Sequence, residues 1–492
     1  VTTVIFPKGA YSADYSAYFV RNLAEYYLYT GDTDFVRQEW PIVAKELAWN
    51  ASQVDANGLM ATTNDAGADW DYYDGAKTGE VTAYNALYYQ TLLDGAKLAA
   101  AAGHPELSAG YTTQAAALKN AINAALFNPA TGVYDLSNNV RGIVAQDANV
   151  FAIVFGIAPA NKVPSILAKI KDTLWTAHGT KPYSSSAYSD IISPFISGFE
   201  LNARLASDNT ADALTLLSNE WGPMIAPGDL NTGTFWENIT KDGTQGSANT
   251  SMAHGWSTMP TSALSNYVLG IQPVDAGYKT WLVEPHPGDL AWTTGQAPTP
   301  HGALVTKWSH DTTARTFAMH VQAPSGTTGT IAVPTFGAAV DITVNGHVVW
   351  RQGAAVAGAQ GVRAATLDGA YVDLRVDAGT YDIATAPAAP TSAPAPTHNR
   401  NPHAAPDTAK AVRNKATTIA VLKNDTDPDR DRLTIVSVKR PKHGKARIVR
   451  GKLVYKPRRG YLGRDVFTYT ISDGHGGFAT ARVKVKVVRH RR

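Results

Sequence analysis

Along the first half of the chain, apolar residues recur at helical spacing. Tyr15, Phe19, Leu23, Tyr26 and Tyr27 would line one helix face. Thr30-Gly31-Asp32 then offers a glycine that suits a helix end and an aspartate that suits the next start. Trp40-Pro41 reads as another start, with proline in its first turn and Ile42, Leu47 and Val54 following. Ala-rich amphipathic stretches at 81–101 and 109–126, and shorter ones near 161–175, 191–206 and 209–221, extend the helical pattern to about residue 270. Paired helices joined by loops that carry aromatics and carboxylates predict an α/α toroid.

Around 275–300 the pattern turns to short segments rich in Val, Ile and Thr: 303–308, 317–321, 329–333, 340–350 and 371–383. Asn345-Gly346 inside the fourth is a hairpin signal. Ala, Pro, Thr and Ser then fill a linker, and alternation resumes with Thr418–Leu422, Leu433–Val438, Lys452–Tyr455, Phe467–Ile471 and Val483–Val487. The expected architecture is therefore multidomain. An α/α toroid (1–274) precedes a β-sandwich (275–384), a linker (385–406), a small all-β module (407–488) and a basic tail (489–492).

Composition narrows the chemistry. At 492 residues the chain exceeds one compact core, and 44% hydrophobic against 17% charged residues describes a globular protein. The absence of Cys excludes disulfides, thiolate catalysis and Cys-ligated zinc. No apolar run is long enough to span a membrane. Val1–Phe6 has neither the basic start nor the apolar core of a signal peptide, and no initiator Met, so a fragment or a processed product is expected. Charge is uneven: residues 400–492 hold 24 Lys and Arg against 7 Asp and Glu, leaving 20 against 34 elsewhere.

The candidate chemistry lies in Thr234-Phe235-Trp236-Glu237 and Ser251-Met252-Ala253-His254-Gly255-Trp256. A carboxylate can activate water, an imidazole can bind hydroxyls, and indole faces can stack on the apolar side of a pyranose. These are the parts of a sugar-cleaving site. Such a site also needs a second carboxyl group.

The helical region and the β region after it resemble α-L-rhamnosidases of glycoside hydrolase family 78. The matching stretches are Glu25–Asp32, Asp69-Trp70, Gln146-Asp147-Ala148-Asn149, Thr234–Glu237, His254-Gly255-Trp256 and Val268–Ile271, in that order. The resemblance covers about residues 10–385 and implies an (α/α)6 six-hairpin barrel that hydrolyses terminal α-L-rhamnose with inversion. It implies Glu237 as the base that activates water, His254 as a sugar contact, and Asp69-Trp70 as lining of the sugar pocket. Trp236 and Trp256 are expected as apolar wall, and Asp65 or Asp69 as a stand-in acid. In the family the general acid lies in an Arg-flanked acidic stretch upstream of the matching region, without a counterpart here. The toroid is thus expected to be incomplete, and the activity of this chain alone stays open between a missing acid and a stand-in carboxylate. Catalysis is expected to need no metal. Alternatives are another six-hairpin glycosidase, or a non-catalytic glycan-binding or adhesive surface protein.

In the tail, Val421–Asp429, Gly463–Tyr469 and Ser472-Asp473-Gly474 resemble cadherin-like or bacterial immunoglobulin-like modules of secreted and surface proteins. An extracellular or cell-surface location is the corresponding expectation. Asp425, Asp427, Asp429 and Asp431 at alternate positions offer hard oxygen ligands to a structural Ca2+, with a polar inter-strand turn as the alternative. Lys439–Lys445 and Arg489–Arg492 would favour anionic cell-surface polymers. Few aromatics are interleaved, so no specific nucleic-acid recognition is expected.

Overall fold

The computed structural model describes residues 14–62, 77–226, 231–246, 250–388 and 399–489. The chain divides into two compact units, Val1–Ala389 and Pro390–Arg492.

The first unit opens with α1 (Tyr15–Thr30) and α2 (Thr33–Ser52). Gly31 ends α1 at a φ of 71°, and the Asp32 carboxylate starts α2 by accepting the Phe35 N–H. α2 runs straight through Pro41, which corrects the expected start at Trp40-Pro41. The cap at Asp32 already begins this helix, and the buried stripe of Val36, Trp40, Val43 and Leu47 holds it across the backbone bond that proline forfeits.

Three further hairpins follow: α3 (Thr82–Ala102) with α4 (Pro105–Ala125), α5 (Gln146–Val154) with α6 (Val163–Leu174), and α7 (Pro194–Leu205) with α8 (Thr210–Glu220). The short α9 (Gly222–Ile225) leads on to α10 (Met259–Ala263), which a π-helical turn, Leu264–Val268, continues. Burial separates the members of each pair. α3, α5 and α7 are buried nearly all round, whereas α4, α6 and α8 bury a single stripe. The former make an inner ring in which α1 packs on α3, α3 on α5, α5 on α7 and α7 on α10. Gly198 allows the last approach, since a Cβ there would lie 2.6 Å from Met259 Cβ.

Among the described residues the ring holds four helix pairs and α10. α10 and α1 face each other across a cavity of about 360 Å3, bridged by the Tyr29–Asn266 hydrogen bond. Phe19, Tyr26 and Tyr29 of α1 stay partly exposed.

The β region begins at Ile271–Pro273, which pairs with Thr280–Val283, and the latter pairs in parallel with Thr316–Pro334. Ten strands form one continuous sheet. Two segments expected as separate strands, 317–321 and 329–333, belong to one strand, Thr316–Pro334, which pairs with Tyr371–Pro387 on both sides of an irregularity at residues 324–327. Asn345-Gly346, both at positive φ, turns Val340–Val344 into His347–Arg351 as expected. Trp281, Trp308, Phe317 and Ile331 share their core with Leu201 and Leu205 of α7 and Ala213 of α8. Helices and sheet are therefore packed as one body.

The second unit is a two-sheet sandwich. Asp407–Val412, Phe478–Val488, Gly463–Ser472 and Thr434–Val438 form one sheet, and Thr417–Ile419, Lys452–Pro457 and Gly444–Val449 the other. Tyr455, Phe467, Tyr469 and Val483 fill its core. His403 exchanges backbone hydrogen bonds with Thr426, so residues before Asp407 already pack on the module.

Candidate active site

The site is built where the N-terminal ends of the inner helices converge. Gln146, opening α5, donates to Ser197 and to Glu200 of α7. Phe195, opening α7, meets Trp256 with ring centroids 5.0 Å apart and Tyr18 of α1 at 5.7 Å. Tyr15, opening α1, meets Trp256 at 5.3 Å.

Two neighbouring loop segments carry the candidate reagents. The His254 N–H donates to the Phe235 carbonyl, and the Glu237 N–H to the Ser251 carbonyl, each at 2.9 Å. Thr234 Oγ1 adds a bond to the Met252 carbonyl. Burial separates the neighbours Trp236 and Glu237. Trp236 has no exposed surface and packs on Ile192, Leu216, Trp221, Met224 and Ile239. Its Nε1 donates to Thr232 and its carbonyl accepts from Ser257 Oγ. It is an anchor beneath the site, not the exposed wall expected from the sequence, because apolar core encloses its ring and Thr232 takes its N–H.

Glu237 sits half-shielded above that anchor. Its Oε2 accepts the Ser251 N–H at 2.9 Å, and His254 Nδ1 lies 4.0 Å from the same oxygen. His254 Nε2 is shielded from solvent and has no hydrogen-bond partner among the described residues. The Trp256 ring lies 5.1 Å from the His254 ring and is 38% exposed. The structure thus brings Glu237, His254 and Trp256 together, with Tyr15 and Phe195 completing an aromatic face. Asp65, Asp69 and Trp70 lie outside the described residues.

A buried ion pair joins the same end of the ring. Lys77 Nζ, on the approach to α3, is 2.8 Å from Asp147 Oδ2 at the start of α5, and both side chains are almost fully buried. Asp147 was visible in the sequence only as part of a motif. Nothing marked Lys77 or Phe195, and Tyr15 read only as part of a helix face, because spacing within one helix does not report which helix ends meet.

In the second unit, Asp427, Asp429 and Asp431 hold carboxylate oxygens within 4.8 Å of one another and could bind a metal ion. Arg400 occupies Asp429 through Nε and its backbone N–H, and these bonds hold that carboxyl below its usual range. Asp425 does not join the cluster: it is buried and accepts from Tyr469 Oη and the Ala405 N–H. On the outward face of the four-stranded sheet, Lys410, Lys486 and Arg464 stand in one row across neighbouring strands.

Residues 5–268 match the bacterial α-L-rhamnosidase six-hairpin glycosidase domain, 270–346 the bacterial α-L-rhamnosidase C-terminal domain, and 399–486 the bacterial Ig domain. No curated protein matches the chain. Among solved structures, the GH78 family rhamnosidase of Bacillus sp. GL1 is similar at 24% identity, over 62% of this chain and 32% of that one, with a TM-score of 0.52. The α-L-rhamnosidase from Dictyoglumus thermophilum is similar at 15% identity, over 76% and 40%, with a TM-score of 0.60. The Streptomyces avermitilis α-L-rhamnosidase complexed with L-rhamnose is similar at 19% identity, over 73% and 31%, with a TM-score of 0.54. The chain spans between 31% and 40% of the length of these three. With a six-hairpin match over more than half its length and the C-terminal domain next to it, the chain belongs to the bacterial α-L-rhamnosidases of glycoside hydrolase family 78.

Proposed function

We propose that this site hydrolyses terminal α-L-rhamnosides with inversion at the anomeric carbon, and that Glu237 is the base. The observation that carries the reading is the Glu237 carboxylate, fixed by the Ser251 N–H beside His254 and Trp256. Glu237 takes a proton from a water that attacks the anomeric carbon from the face opposite the leaving group. His254 contacts the bound sugar through its half-buried ring, and Trp256 packs on the C–H surface of a 6-deoxy sugar. The departing oxygen needs a proton from a second carboxyl about 6.5–9.5 Å from the first. Asp65 and Asp69 are the candidates within this chain.

The test is hydrolysis of 4-nitrophenyl α-L-rhamnoside, with the first product anomer followed by NMR and the fucoside and glucoside as controls. β-L-Rhamnose as first product, lost in Glu237→Gln, is expected. Retention of configuration, or preference for another sugar, would replace this reading with that of a different glycosidase on the same ring. Parallel Asp65→Asn and Asp69→Asn variants locate the acid, and unchanged rates in both exclude them.

The basic row on the second unit binds anionic polymers of a cell surface, and the protein works outside the cell, where such polymers and rhamnose-bearing polysaccharides occur. The oxygens of Asp427, Asp429 and Asp431 suit a hard cation such as Ca2+ in a structural role. A melting temperature unmoved between EDTA and millimolar CaCl2 would remove that ion.

A further inference from the structure

Trp292 opens the strand Trp292–Thr299 and is 66% exposed, the most exposed tryptophan among the described residues. A large indole left in water is the kind of exception that marks an interaction surface. Strand register fixes its surroundings. Trp292 lies opposite Ser309, Ser309 opposite Ala318, and Ala318 opposite Ala384. Next to that row, Thr294, Lys307, His320 and Asp382 line up across the same four strands. The residues between the rows, Trp308, Met319 and Ile383, are buried in the core, so both rows face outward. The small side chains leave a groove of about 510 Å3 that runs from the indole beside the polar row.

The polar row alternates donors and acceptors. His320 Nδ1 lies 2.7 Å from Asp382 Oδ1, and the Asp382 backbone N–H is held by Asn345 Oδ1. Lys307 flanks His320 on one neighbouring strand and Asp382 on the other, so the row carries one cationic and one anionic end. A polyanion would meet that carboxylate, and an apolar peptide would bury the charges of Lys307 and Asp382 away from water. A neutral sugar satisfies the whole surface, with its C–H face on the indole and its hydroxyls on the ammonium, imidazole and carboxylate. We propose that this face is an accessory binding site for neutral pyranose units of a polysaccharide, separate from the Glu237 centre and independent of the bond cleaved there.

Isothermal titration calorimetry with rhamnan, xyloglucan and galactomannan tests it, run in the Glu237→Gln background so that binding is read without turnover. At least one of the three is expected to bind, with Trp292→Ala weakening it at least tenfold and Lys307→Ala by a smaller factor. Both side chains are exposed, so unchanged melting temperatures are expected. In the active protein Trp292→Ala leaves hydrolysis of a small aryl rhamnoside unchanged. Binding of none of the three, or equal binding by Trp292→Ala, overturns the proposal. So does a dimer in size-exclusion chromatography that Trp292→Ala dissolves, since the face would then join two copies of the chain.

Discussion

Glu237 and Ser251 hold each other twice: the Glu237 N–H donates to the Ser251 carbonyl, and the Ser251 N–H donates to Glu237 Oε2, both at 2.9 Å. A glutamine keeps both bonds and loses only basicity. Glu237→Gln is therefore expected to lower kcat by about 10²–10⁴ with little change in melting temperature. Glu237→Ala strands the Ser251 N–H and should lower the melting temperature as well. Full turnover by the glutamine variant would remove Glu237 from catalysis.

The Lys77–Asp147 pair ties the approach to α3 to the start of α5 in a nearly water-free setting. Removing one partner leaves a buried charge, at about 3–5 kcal/mol. Lys77→Met is expected to lose that much in urea titrations, and Lys77→Met with Asp147→Leu to recover part of it. A single variant as stable as the parent would contradict the pairing.

Asp94 gives a pH signature. Burial pushes its carboxyl up to about 6, against the pull of Arg21 at 3.8 Å and the Gln90 hydrogen bond. The folded state holds this proton more tightly than the unfolded chain. The stability it contributes is present below about pH 4 and is lost as pH rises through about 6, a change on the order of 3 kcal/mol. Asp94→Asn should match the parent at pH 4 and exceed it at pH 7. Parallel stability curves would show that Asp94 ionises normally.

Tyr469 Oη donates to both oxygens of the buried Asp425 carboxyl, at 3.0 and 2.9 Å. Tyr469→Phe should destabilise the immunoglobulin-like unit by about 1–3 kcal/mol. In calorimetry of the whole chain, its transition should move while that of the first unit stays in place.

The basic row of Lys410, Lys486 and Arg464 gives a salt-dependent prediction. Lys410→Gln with Lys486→Gln should elute from a polyphosphate resin at lower salt, with a shallower dependence of binding on salt. An unchanged elution would place the contact elsewhere.

Much of this fold was legible in the sequence because periodicity reports burial directly. Helices α3, α4, α6, α7 and α8 and the turn at Asn345-Gly346 lie where the pattern put them, whereas the nine-residue α5 showed only as a motif. Trp292–Thr299 escaped notice because its small and polar residues carry no apolar alternation, and Thr280–Val283 because it is only four residues long. Glu237, His254 and Trp256 were legible as a group. The burial of Trp236 was not, since it depends on Ile192, Trp221 and Met224 arriving from other parts of the chain.

That burial bears on how variants of this protein are to be sorted. Trp236 and Glu237 are neighbours in different settings, one seated in the core and the other half-buried beside His254. An activity screen alone would score both positions as essential and would credit the indole with a chemical role. Scoring soluble, folded yield beside turnover separates them: Trp236 variants should lose both together, and Glu237→Gln only the second.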